Sequence, residues 1–431
     1  MNSLRVSAAL LLVIGAGFPT RVSAQEGTIE QLVATALERS PDLRAARTDV
    51  AAAEGRITQA ALRPNPAFSA THMMMTGEQH QTLFELEWPL DLFRRPARIS
   101  TAQRAADTTM AAVQDRERLL AAAVRRQAGQ LLAARRNVQI MTEALSAARR
   151  TRELLDSRVT EGAIPKLDAN IAAVEAGRIE ADLTLAQADV DGAEIELKAL
   201  AGLRPAEPLT LRDSLEALVR MTPSAPAATT EATAATADSS LAMRPDIHEA
   251  AARVAQADAR IEQAQRDGRM DVSLVGNYGH EQYGFAQRGF DASGRLVPVQ
   301  GDFHSFEVGA TFAFPIRNRN QGTIAEAQAA RNGEQELLAA RQLAAQAELD
   351  AAVVRDREAQ RAVEMYATSI RDLARQNVDV QLEAYDLGRT LLTELLAEQR
   401  RYLDVETGYT SVLSRAYDAR VALREARGEI R

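Results

Sequence analysis

The chain alternates between two hydrophobic rhythms. From Ala97 to about Thr160 there is no proline, and Val124, Leu131, Val138 and Leu145 recur every seven residues, with Leu120, Ala134, Met141 and Leu155 on a companion seam. That is the spacing of a coiled-coil helix. At 1.5 Å per residue it extends on the order of 95 Å, more than a globular domain needs. A counterpart runs from near Gln321 to about Leu387. Between these helices the period drops to two. In TLFELEWPL, Phe84, Leu86 and Trp88 alternate with Glu85 and Glu87; in SFEVGATFAFP, Phe306, Val308, Ala310, Phe312 and Phe314 alternate with polar or small residues. MDVSLVGNY from Met270 does the same more weakly, and NPAFSATHMMM from Asn65 is the poorest of the four. Alternating strands of about ten residues, with aromatics at an end, are what a membrane β-barrel requires.

The pattern is written twice. SPDLRAARTDVAAAEGRITQA from Ser40 aligns with RPDIHEAAARVAQADARIEQA from Arg244, and later a constant spacing of 226 matches Pro89 with Pro315, Gly162 with Gly388 and Gly202 with Gly428. The extra residues of the second half fall between Met270 and Phe306, a Gly-rich stretch read as a longer loop. Thr222 to Ser240 is small, polar and Pro-containing, the composition of a linker. Seven segments follow a signal peptide at 1–24: a helix at 25–64, a β-hairpin at 65–90, a long helical hairpin at 91–204, an equatorial segment and linker at 205–243, a helix at 244–269, a second β-hairpin at 270–316 and a second helical hairpin at 317–431. The fold class is mainly α with a small membrane β-barrel.

The first residues carry one cation, Arg5, an apolar run from Val6 to Phe18, and Val22-Ser23-Ala24 before Gln25, the pattern of a cleavable secretory signal. Beyond it no stretch offers about 18 consecutive apolar residues, so membrane insertion falls to the strands. With no cysteine there is no disulfide and no thiolate site, and the net charge of −8 argues against a nucleic-acid partner. Four strands cannot close a barrel, since membrane barrels have at least eight and an open edge is not tolerated in lipid. Several chains must contribute. Trp88 and Phe314 then suit the inner membrane interface, and Pro89 and Pro315 end ladder pairing where strand gives way to helix. The competing readings are half-buried hairpins on a soluble domain and a structural coiled-coil rod or adhesin of the cell envelope, which needs no lipid-facing strands.

On the duplication, the two Pro junctions and the turns EGAIPKLDANIAAVEA and LGRTLLTELLAEQRRYL, the chain resembles the TolC-type outer-membrane efflux channel family. The resemblance implies a homotrimer with one 12-stranded barrel in outer-membrane lipid. A helical tunnel continues it through the periplasm, docked to a periplasmic adaptor and an inner-membrane pump, with no cofactor. FPIRNRNQGTIAEAQAA after the fourth strand looks most like the branch serving heavy-metal cation exporters; multidrug efflux and type I protein secretion are the alternatives. Gly162 and Gly388 would mark the tip turns. Family members carry acidic residues around the closed periplasmic entrance, and Asp168 and Glu394 occupy the matching, repeat-equivalent positions, with Glu in place of the more usual Asp. Both also suit ordinary helix starts, where a carboxylate complements the dipole.

No catalytic constellation is present. HEQYG at His280 lacks the second histidine of a zinc-protease helix, and Ser, His and Asp occur in no nucleophile-elbow context. His72, Met73, Met74, Met75 and His80 cluster in the first hairpin, a donor set suited to copper or silver ions, although methionine is also generic apolar filler.

Overall fold

The computed structural model describes residues 25–75, 79–220 and 243–430; the expected signal peptide and linker lie outside the described residues. The first half runs β1 (Gln25–Gly27), α1 (Ile29–Arg39), α2 (Pro41–Ala61), β2 (Ala67–Met75), β3 (Gln79–Pro89), α3 (Arg95–Thr160) and α4 (Lys166–Leu200), then β4 (Leu209–Leu211) and α5 (Leu215–Arg220). The second half runs α6 (Pro245–Asp267), β5 (Asp271–Phe290), β6 (Leu296–Ala313), α7 (Gln321–Met365), a π-helical turn (Tyr366–Ile370), α8 (Arg371–Asp386) and α9 (Leu392–Ala426).

Three features depart from the expectation. The N-terminal segment is two helices, because Pro41 has no N–H to continue α1 and holds Ser40 extended at φ −56° and ψ 125°. The Gly-rich stretch of the second hairpin is not a loop: β5 and β6 are 20 and 18 residues long and stay paired to a tight turn at Asp291–Arg295. Its glycines hid the alternation of Tyr283 and Phe285 opposite Val299 and Gly301. The second long helix is interrupted at Tyr366–Ile370, where one extra residue per turn re-phases the helix.

Four glycines close the helical hairpins by the same chemistry. Gly162, Gly202, Gly388 and Gly428 have φ between +67° and +80°, a region a side chain disfavours. At each, the next residue donates its N–H to the carbonyl five residues back, as Ala163 does to Arg158 and Arg389 to Ala384. This is the Schellman end, which satisfies carbonyls that a stopped helix leaves unpaired.

α3, at 66 residues, spans about 99 Å. Its middle holds the largest core, where Val124, Ala128 and Leu131 meet Ile29 and Val33 of α1, Leu197 of α4 and Leu413 and Tyr417 of α9. At Gly129 a Cβ would lie 2.5 Å from the Tyr417 ring, so α3 and α9 approach as closely as they do only because that side chain is absent. β1 pairs in parallel with β4 beside this core and ties the start of the described chain to its equator.

The four long strands form one antiparallel sheet in the order β2-β3-β5-β6. β2 and β6 are unpaired on their outer edges among the described residues.

Candidate functional site

Register fixes what each face of the sheet presents. Phe68, Leu86, Gly276 and Val308 form one row; Ala70, Phe84, Tyr278 and Phe306 form the next. Trp88, Leu274 and Ala310 lie one row nearer the helices, and Val272 with Phe312 one row further in that direction. This face is apolar, its rings in contact: Phe68 to Phe84 at 6.0 Å, Phe84 to Tyr278 at 6.1 Å, Tyr278 to Phe306 at 4.9 Å. Much of it is bare in the protomer, with Phe306 81% and Val308 90% exposed. Such a surface has no stable place in water.

The opposite face carries Glu85, Glu87, Glu281 and Glu307 with Ser69, Thr71, Asn277 and Thr311. Gln81 donates to Glu281, and Asn277 Nδ2 donates to Glu307 at 3.3 Å. Apart from Arg288 near the tip, the described strands contain no lysine or arginine. Leu83, Val275 and Phe303 share this face, and its charged groups, Asp271 included, are all acidic.

At the helix end, β3 stops at Pro89 and β6 one residue before Phe314. Trp88 is half-exposed, and the Phe314 ring lies 6.2 Å from that of Phe312. Below them arginines finish the helices: Arg98 Nε donates to the Ala60 carbonyl at 3.0 Å and Arg95 Nε to that of Ala61 at 2.7 Å. In the second half Asn320, with a left-handed φ of 63°, donates from Nδ2 to Ala264 at 2.8 Å. The junctions are thus held from both halves.

At the other end the two tips meet. Leu155, Ala169 and Ala172 of the first helical hairpin pack with Leu392 and Leu396 of the second. Asp168 and Glu394 both occupy the third helical position, in the first turns of α4 and α9. Neither is ion-paired among the described residues. Burial raises the Tyr385 hydroxyl above its usual range, and the charges of Asp168 and Asp386 add to it against Arg158.

Between tip and equator lies a charged network that no sequence pattern announced. Glu406 of α9, buried, accepts from Arg371 Nε at 2.8 Å and from Arg136 Nη2 of α3 at 3.4 Å. Both guanidinium carbons stand over the Tyr409 ring, at 4.4 Å for Arg371 and 5.4 Å for Arg136, and the Tyr366 ring stacks on it at 6.1 Å. The π turn is what places Tyr366 and Arg371 on this ring together. Burial works against the Arg371 charge, and Glu406 more than offsets it. Nearer the tip, Arg400 of α9 forks onto buried Glu175 of α4, with Nε 2.9 Å from Oε1, and this holds the Glu175 carboxyl below its ordinary range.

The histidine and methionine cluster is divided by the strand. His72, Met74 and His80 fall on the apolar face and Met73 on the acidic one, while the Met75 side chain lies outside the described residues. Among the described residues no three His, Asp or Glu side chains converge on a point that could hold a metal. No helix among them is long and apolar enough to cross a membrane.

A sheet with one apolar face, one acidic face and two open edges, set on paired helices about 100 Å long, defines an outer-membrane channel subunit with a helical extension. Residues 32–203 match the profile of the outer membrane efflux protein family. It is 25% identical to the cobalt-zinc-cadmium resistance protein CzcC of Cupriavidus metallidurans over 93% of this chain and 90% of that protein. It shares the fold of CusC, with a TM-score of 0.76 at 18% identity over 94% of this chain and 93% of that one. The outer-membrane protein VceC of Vibrio cholerae superposes with a TM-score of 0.70 at 20% identity, over 93% and 96% of the two chains. The protein is an efflux channel of the outer membrane that extends into the periplasm.

Proposed function

We propose that three copies close one 12-stranded barrel through the free edges of β2 and β6, and that the assembly is a passive exit duct for divalent metal cations. A periplasmic adaptor and an inner-membrane pump deliver the cargo, and the duct itself performs no catalysis. Hairpins 65–90 and 270–316 make the barrel, helical hairpins 91–204 and 317–431 the tunnel, and Trp88, Pro89, Phe314 and Pro315 the boundary between them. One observation carries the choice of cargo: besides the Asp271 paired with Arg94, the sheet face opposite the lipid-facing one holds four carboxylates per subunit, and short of Arg288 its strands carry no lysine or arginine. Threefold repetition would line the duct with twelve, a field that concentrates cations and excludes anions. The name of the relative CzcC supports the same cargo. At the entrance, Asp168 and Glu394 from three copies would add an acidic ring beside the tip turns at Gly162 and Gly388.

The test is loss of the gene in its own host, read as growth with cobalt, zinc or cadmium salts and with a hydrophobic drug. Sensitization to the metals alone supports the proposal. Sensitization to the drug alone assigns the channel to multidrug efflux, and loss of a secreted protein without either assigns it to protein secretion.

A further inference from the structure

Four imidazoles on the apolar face are not used by anything above. His72, His280 and His304 stand in one register row with Thr82, and His80 one row further from the helices. They are four of the five histidines in the chain. The His280 and His304 rings lie 4.9 Å apart and those of His72 and His80 5.9 Å apart.

Their height is set by the strand. His280 is eight residues beyond Val272, the apolar row nearest the helices, which is about 26 Å along the chain at ~3.3 Å per residue. A strand tilt of about 40° reduces this to about 20 Å, against an apolar band about 25 Å tall on membrane barrels. The change from phenyl rings in the Phe84, Tyr278 and Phe306 row to imidazoles in the next therefore falls at the outer rim of the hydrocarbon, where headgroups begin.

The chemistry there suits phosphate. An imidazole donates an N–H when neutral and two when protonated. His72 Nδ1 lies 2.9 Å from the Thr82 hydroxyl and His304 Nδ1 2.9 Å from that of Tyr278, so Nε2 is the nitrogen each has left for a ligand. No lysine or arginine competes for the role on these rows. Asp302, its Oδ1 4.0 Å from His280 Nε2, and Tyr278 are the other titratable groups on this part of the face.

We propose that this row is a binding girdle for the phosphate groups of the lipids that surround the barrel, and that it tightens as the imidazoles protonate. The proposal rests on the apolar face being the lipid face.

The full-length channel in detergent, its trimer verified by gel migration, would be loaded with phosphatidylglycerol or with diacylglycerol of the same chains. Lipid retained by each trimer is then counted by native mass spectrometry. The phosphodiester keeps its charge between about pH 5.5 and about pH 8, so a pH effect belongs to the protein. The expected preference for phosphatidylglycerol rises about threefold to tenfold at the lower pH. It disappears in the combined His72→Gln, His280→Gln and His304→Gln variant, and His248→Gln leaves it intact. An unchanged preference in the triple variant, a preference flat with pH, or retention that needs added zinc and grows with pH would each overturn it. Loss of both lipids from the wild type would instead indict the face assignment.

Discussion

A charge placed on the apolar face should cost according to its depth, and the register gives the depth. Val308 is four residues from Phe312 on the inner side and four from His304 on the outer side, on the same strand and the same face. It sits about 13 Å along the strand from each boundary at ~3.3 Å per residue, the middle of the band. Val308→Arg should cost about 2 to 4 kcal/mol per subunit, or about 6 to 12 per trimer, while Phe312→Arg at the rim adds only about 0 to 1 for its charge. Glu307→Arg reverses a charge next door but faces Asn277 across the acidic side, so insertion should proceed. The assay is outer-membrane fractionation followed by unheated and heated gels, which separate trimer from monomer. Val308→Arg should leave little trimer in the membrane, Phe312→Arg an intermediate amount and Glu307→Arg nearly the wild-type level. Equal insertion of Val308→Arg and Glu307→Arg, or the reverse order, would refute the assignment of faces.

Gly129→Ala would push a methyl group into the Tyr417 ring and should cost about 1 to 3 kcal/mol, visible as a lower thermal midpoint of the trimer. The Glu175 carboxyl is held below its ordinary value of 4.5, so the stability it contributes is complete above that value and is lost as pH falls through the lower folded one. Glu175→Gln should therefore flatten the decline in thermal midpoint between about pH 5 and about pH 3, and an unchanged slope would show that the Arg400 pair is not responsible. Asp168→Asn with Glu394→Gln should lower cation selectivity and relieve block by multivalent cations added from the periplasmic side in planar bilayers; unchanged selectivity and block would leave both as ordinary helix-start residues.

What the sequence revealed and what it hid divide along physical lines. Long helices and their ends were legible, because a seven-residue recurrence and a glycine that must turn left-handed are local properties; Leu131, Gly162 and Gly388 needed no partner to be read. The alternation in TLFELEWPL and SFEVGATFAFP showed the strands for the same reason. The length of β5 and β6 was hidden because glycine carries no side chain to mark a face. The histidine row was hidden more deeply, since His72, His280 and His304 become neighbours only through the register of three strand pairs. The π turn left no mark in YATSI, whose significance lies in the Tyr409 ring and Glu406 of another helix.

The contacts that join the two halves are graded along the tunnel. At the equator the almost fully buried Arg125 of the first half donates from Nη2 to the Ile430 carbonyl of the second at 3.1 Å, Arg424 Nη1 reaches Glu30 at 2.8 Å, and Tyr417 fills the groove left by Gly129. Halfway down, Glu406 is buried but Arg371 and Arg136 are partly open to water. Nearer the tip the Arg400 side chain is 47% exposed, and at the tip Asp168 and Glu394 form no ion pair among the described residues. An ion pair weakens as solvent reaches it, from several kcal/mol when a buried partner is removed to about 1 or less when both are exposed. The helical hairpins are therefore held most firmly at the equator and most weakly where cargo must enter. A pull or push applied at the tips would separate α4 from α9 at Glu175 and Arg400 before it disturbed Glu406, and would leave the equatorial core and the sheet register above it in place.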